Sequence, residues 1–217
     1  MLNSNYRTLC PVNLPYRGRQ LYMHSFDLRA PAMAKGFEDY LDPVMALCRS
    51  AGAVGGIAHM TVDEKVVAAG MSQRRPKPHV DGCFEPRRMS WESGSWTHYR
   101  NKGAVGAFRR MPVIVAATVE GCRAWRGKFD GQPADDGDLS HLALNDGEML
   151  TANVGYLLSP DCVHESMVFN RPTPRTFLRI ALPVDFKFDI DRASIPATVA
   201  EPMAVPDDQA MDWGPER

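Results

Sequence analysis

The stretch RRPKPHVDGCFEPRR, residues 74 to 88, sets His79 and Asp81 two apart between pairs of arginines. Imidazole and carboxylate are the side chains that most often share a divalent metal. In an extended chain residues i and i+2 lie on one face, so both groups can point at one spot. A second imidazole, His164, stands in SPDCVHESMVF, another run with strand composition. Two histidines and a carboxylate make up a 2-His-1-carboxylate facial triad, which holds Fe(II) on one side and leaves other positions open. A structural zinc site would need four protein ligands, and no nearby Cys or His supplies the fourth. An H-x-D pair arises by chance in many chains with six histidines, so three residues alone do not make the case.

The segment PRTFLRIALP, residues 174 to 183, adds to it. Thr176, Leu178, Ile180 and Leu182 form one face, and Arg175, Phe177, Arg179 and Ala181 the other. If the apolar face packs under helices, the second face looks into a β core, where guanidinium groups need anionic partners. Arginine grips a carboxylate through two parallel hydrogen bonds, so a bound dicarboxylate would satisfy one of them. The plain alternative is that both arginines face solvent.

The order His79-x-Asp81, then His164, then Arg175 eleven residues later resembles the Fe(II)/2-oxoglutarate-dependent oxygenases, over residues 79 to 179. The resemblance implies a double-stranded β-helix (jelly-roll, cupin-like) core, with His79, Asp81 and His164 on Fe(II). It implies Arg175 on the distal carboxylate of 2-oxoglutarate, with Arg179 as a substitute in that role or a grip for an anion on the substrate. It also implies O2 as the oxidant and release of succinate and CO2 as a substrate is hydroxylated.

The elements that must position these residues can be read from pattern. Residues 1 to 30 look irregular, with one short strand at QLYMHSF. Residues 31–52 read as a helical support of two helices, the second restarted by Asp42 as N-cap and Pro43 and stopped by Gly52. Residues 55–183 then break into short β-rich runs separated by turns such as FDGQPADDGD and LNDGEM. The fold class expected is therefore mainly β with N-terminal helices, a single domain over 1–189. Residues 190–217, rich in Pro, Ala and Asp, read as an extended tail.

A net charge of −1 argues against general nucleic-acid binding. Residues 71 to 130 nonetheless carry 12 Lys and Arg against 5 Asp and Glu, whereas residues 131 to 166 carry 7 acids and no Lys or Arg. Arg74, Arg75, Lys77, Arg87 and Arg88 therefore either pair with the acidic stretch or form a positive rim that draws in an anionic small-molecule or nucleotide-type substrate. Trp91 and Trp96 could line its mouth, and His98 reads as a surface histidine. Five scattered cysteines without a CxxC pair, no signal-like apolar run and no membrane-length segment suggest a cytoplasmic protein with no membrane partner. Two other readings stand beside the oxygenase: a cupin-type metalloenzyme that does not use 2-oxoglutarate, and a non-catalytic β-sandwich binding protein.

Overall fold

The computed structural model describes residues 1–84, 108–134, 137–183 and 185–190. Its strands in chain order are β1 (Leu2–Ser4), β2 (Tyr6–Pro11), β3 (Gln20–Asp27), β4 (Ile57–Val67), β5 (Gly82–Phe84), β6 (Phe108–Arg110) and β7 (Val113–Ala117). They continue with β8 (Cys122–Ala124), β9 (Gly127–Phe129), β10 (Glu148–Met149), β11 (Val154–Leu158), β12 (His164–Ser166) and β13 (Thr173–Ala181). A six-stranded antiparallel sheet runs β2-β11-β7-β13-β4-β3. A three-stranded sheet runs β10-β8-β12, and a bridge between His79 and His164 extends it past β12. The arrangement is mainly antiparallel β and consistent with a sandwich.

Both faces of the large sheet are buried, for different reasons. On one face Met60, Val62, Ile114, Leu157, Leu178 and Ile180 pack under the helix α1 (Leu41–Ala51). Val44, Leu47, Cys48 and Ala51 supply its apolar stripe at helical spacing. Gly52, at φ 83°, closes it with its N–H on the Cys48 and Arg49 carbonyls. Gly155 of β11 lets the helix approach closely, since a side chain there would overlap Leu47. On the other face Val113, Val115, Tyr156, Leu158, Phe177 and Ala181 meet Ala124, Leu150 and Cys162 from the small-sheet side. The two faces of β13 divide as their alternation requires, and both Arg175 and Arg179 are buried rather than solvent-facing.

Three expectations need correction. Only one α-helix forms in residues 31–52, preceded by a single 3-10 turn (Glu38–Tyr40). Gly36 takes φ 84°, and Phe37 is held between Tyr40 and the Arg19 guanidinium, so the chain turns where a helix was expected. The helix is capped by Tyr40, not Asp42; Asp42 and Pro43 fall inside the first turn, where a missing N–H costs little. Residues 1 to 11 are strands, because β1 finds its partner in β9 and β2 in β11, more than a hundred residues away. Among the described residues no helix is long and apolar enough to cross a membrane. Of the expected tail, residues 190–217, all but Ile190 lies outside the described residues, while Phe186 and Phe188 just before it pack against the helix-side core.

A buried carboxylate ties the helical side to the sheet. Glu64 on β4 accepts hydrogen bonds from the Tyr40 hydroxyl (2.7 Å), the Arg19 guanidinium (3.0 Å) and the Arg17 and Arg19 backbone N–H groups (2.5 and 2.9 Å). Burial alone would raise its pKa, but these donors hold it below its ordinary 4.5. Glu64→Gln should therefore lose about 2 kcal/mol in urea denaturation at neutral pH. A depressed carboxylate contributes its full share above its unfolded pKa and loses it as pH falls through the folded one. The gap between variant and natural protein should narrow on acidification; a constant gap would remove the charge from this account. A chain ending at Asp189 should keep its full thermal transition, whereas one ending at Pro183 should melt several degrees lower in calorimetry.

Candidate metal centre

The centre is built on one backbone pairing. His79 and His164 exchange both hydrogen bonds, N–H to carbonyl at 3.0 Å in each direction, which sets their side chains on the same face. The ring centroids are 4.4 Å apart. Asp81 follows two residues on, and its Oδ2 stands 3.6 Å from His164 Nε2. Val80 between them points the other way, into a separate cluster with Leu2, Trp125, Leu139 and Val163 that locks the strand's orientation. One ligand atom from each of His79, Asp81 and His164 lies within 4.8 Å of the others, so the three can hold one metal ion.

The hydrogen bonds behind the ligands prepare them for that task. His79 Nδ1 lies 2.7 Å from the Lys77 carbonyl, and His164 Nδ1 lies 3.0 Å from the Cys162 carbonyl. A carbonyl only accepts, so each Nδ1 carries a proton and each Nε2 is the ring atom turned toward a metal. Burial, with help from the neighbouring His164, pushes the His79 pKa down to about 3, leaving that ring neutral and able to ligate. Burial works against charge on Asp81, but Arg179 and the two histidines hold its carboxyl well below the usual range. Arg179 donates from Nε to Asp81 Oδ2 at 2.7 Å, leaving Oδ1 as the freer ligand atom.

Arg175 is placed differently. It is fully buried and donates to the Val119 carbonyl (2.8 Å), Gln73 Oε1 (2.5 Å) and Cys122 Sγ (3.3 Å). Phe169 and Phe177 flank its guanidinium. None of these partners carries a negative charge, and among the described residues Arg175 makes no ion pair. It lines a cavity with Val115, Ala117, Cys122, Leu150, Thr151 and Tyr156. Gln73, only 5% exposed, braces it and hydrogen-bonds to the Asp63 and Arg175 carbonyls. Nothing in the sequence marked Gln73 or Cys122 for that role, because both contacts arise only when the sheets close.

The arginine fence splits. Arg75 pairs with Asp138 of the acidic stretch at 3.2 Å, the neutralising role. Arg74 lies over the Phe177 ring with its guanidinium 4.0 Å from Asp63. Arg87, Arg88, Trp91, Trp96 and His98 lie outside the described residues. Cys162 packs in the core with its thiol pushed up to about 12 by burial. Comparison with protein-family models, curated proteins and solved structures finds no match.

One divalent ion per chain should bind, measured by anaerobic titration with Fe(II) or Mn(II). His79→Ala and Asp81→Ala should each largely abolish it, since among the described residues no fourth ligand stands ready. Full occupancy in both variants would put the site elsewhere.

Proposed function

We propose that the protein is an Fe(II)- and 2-oxoglutarate-dependent oxygenase that hydroxylates a small-molecule or nucleotide-type substrate bearing an anionic group. The observation that carries this reading is Arg175: a buried guanidinium that makes no ion pair among the described residues calls for an anion from outside. Among the described residues three of its five N–H donors are used, which leaves two for a carboxylate. The cavity it lines is otherwise mostly apolar, which strengthens a charge-assisted contact and excludes water.

The spacing suits the cosubstrate. Arg175 touches Cys122, while Ala124, two residues along β8, lies opposite His164. Two residues of strand span about 7 Å, comparable to the reach of a five-carbon diacid whose other end lies at the triad. His79 and His164 would hold the iron through neutral Nε2 atoms and Asp81 through the oxygen that Arg179 leaves free. Iron bound there supplies the oxidative chemistry, coupling decarboxylation of 2-oxoglutarate by O2 to hydroxylation of a C–H bond. Arg179 orients Asp81, and Arg175 is the group assigned to the distal carboxylate.

The topology supports a double-stranded β-helix as the scaffold. After β4 the chain crosses from the large sheet to the His79 segment, back to β7, over to β8 and β10, back to β11, over to β12 and back to β13. That alternation winds two sheets around one interior and brings the ends of distant strands to one mouth.

Arg175→Ala should weaken 2-oxoglutarate binding roughly a hundredfold while leaving metal affinity nearly unchanged. Binding is read by titration of Mn(II)-loaded protein, and turnover by succinate release in the presence of Fe(II) and O2. Loss in Arg179→Ala but not in Arg175→Ala would exchange the two roles. Loss in neither would remove 2-oxoglutarate and favour a cupin-type metalloenzyme.

A further inference from the structure

Among the described residues Arg175 is held on every side by groups that do not neutralise it. Its Nε donates to the Val119 carbonyl (2.8 Å), Nη1 to Gln73 Oε1 (2.5 Å) and Nη2 to Cys122 Sγ (3.3 Å). The centroids of the Phe169 and Phe177 rings lie 5.6 and 5.7 Å from its Cζ. Each terminal nitrogen keeps one N–H that has no partner among the described residues. A carboxylate takes up two such donors at once.

Of the three partners, Gln73 is the one fixed in orientation by contacts of its own. Its Nε2 donates to the Asp63 carbonyl (2.6 Å) and the Arg175 carbonyl (3.3 Å), which leaves Oε1 to face Arg175. Acceptors on one side and a donor on the other suit an amide and no other side chain of that length. The backbone around it is pinned as well. Gly70 donates to the Phe169 carbonyl (2.8 Å), Phe169 to the Met71 carbonyl (2.9 Å) and Ser166 to the Arg75 carbonyl (2.9 Å). Asp63, whose carbonyl Gln73 meets, directs its carboxylate elsewhere: to Gln20 Nε2 (2.8 Å), Lys65 Nζ (3.1 Å) and the Arg74 guanidinium (4.0 Å). A glutamate at position 73 would have nearly the same shape, but it would meet Arg175 with a full negative charge.

We propose that Gln73 is the positioning and selectivity-determining residue of the Arg175 cavity: it orients the guanidinium and, being neutral, leaves that charge open to a carboxylate from outside. The carboxylate's place is the cavity that Arg175 and Cys122 line together. In apolar surroundings a cation already paired offers little to a second anion, whereas one held by neutral dipoles keeps its attraction. Charge at position 73 therefore decides whether the cavity takes an anion at all, and the shape of the side chain decides only how well. The role rests on the oxygenase reading for the identity of the anion, but not for the effect of charge.

The test is calorimetric titration of the full chain, loaded with Mn(II), against 2-oxoglutarate, glutarate, succinate and acetate. Gln73→Glu should weaken 2-oxoglutarate binding roughly a hundredfold, as much as Arg175→Ala, whereas Gln73→Met, neutral and of similar length, should stay within roughly tenfold of the natural protein. Mn(II) affinity should hold in both variants. In turnover the loss in Gln73→Met should appear in KM for 2-oxoglutarate rather than in kcat. A merely structural role predicts the opposite order, because methionine forfeits all the hydrogen bonds of the amide and glutamate keeps the one to Arg175. Equal or greater loss in Gln73→Met than in Gln73→Glu therefore overturns the proposal. Glutamate here turns an oxygen toward two carbonyls; should that variant fail to fold, Cys122→Asp, which sets the same charge against Nη2, must show the hundredfold loss, and unchanged binding there overturns the proposal. Binding of another of these carboxylates but not of 2-oxoglutarate, with the same order among the variants, would keep the role of Gln73 and remove the oxygenase. Binding of 2-oxoglutarate that Gln73→Glu leaves intact would do the reverse, and binding of none of them would remove both.

Discussion

Burial of two guanidinium groups on the inward face of β13 is the constraint around which the rest of the molecule is arranged. β13 is an interior strand of the large sheet, paired on both sides, with one face committed to the helix. Its other face must close over a core, and Arg175 and Arg179 cannot enter that core without compensation. Arg179 finds its counter-charge in Asp81, which draws the His79 segment across the mouth of the sandwich. Arg175 finds only neutral acceptors among the described residues. One strand thus carries an ion-paired cation and, four residues away, one that among the described residues has only neutral partners.

The sequence disclosed the parts of this that depend on alternation. His79 and Asp81 share a face because they are two apart, and the division of β13 into apolar and cationic faces follows from the same period. Neither needs knowledge of a partner strand. What could not be read depends on pairing between distant segments. β2 looks irregular until β11 lies beside it. The middle of β4 carries Thr61, Asp63 and Glu64, yet all three are buried because polar groups from elsewhere meet them. Gln73 carries no local signal either, since its role is to brace a residue 102 positions away. The expected first helix failed for a local reason: Gly36 turns the chain before a helical period can establish itself.

Among the described residues the charges of the basic segment go to different depths. Its arginines were expected either to pair with the acidic stretch or to form a positive rim. Arg75 crosses to Asp138 and is neutralised, while Arg74 turns inward over Phe177 toward Asp63. Exposed ion pairs of the first kind contribute little to stability and weaken with salt. The inner charges are shielded from salt, and each carries a desolvation cost that a ligand of the right polarity can relieve.

Ligand preparation and fold closure are the same event in this molecule. The carbonyls that fix the histidine tautomers belong to Lys77 and Cys162, each two residues before its ligand in the chain. Neither strand can hold that geometry without the reciprocal backbone pair between His79 and His164, and that pair is what extends the small sheet. Val80 and Val163 fix the outward side by packing with Trp125 and Leu139. The triad is therefore preorganised by elements that would be needed for a stable sandwich whether or not a metal were present. A bound ion would add a third connection between segments that are 83 residues apart in the chain from Asp81 to His164. Because an unfolded chain would rarely bring those three groups together, binding energy at the centre would add almost wholly to the stability of the folded state.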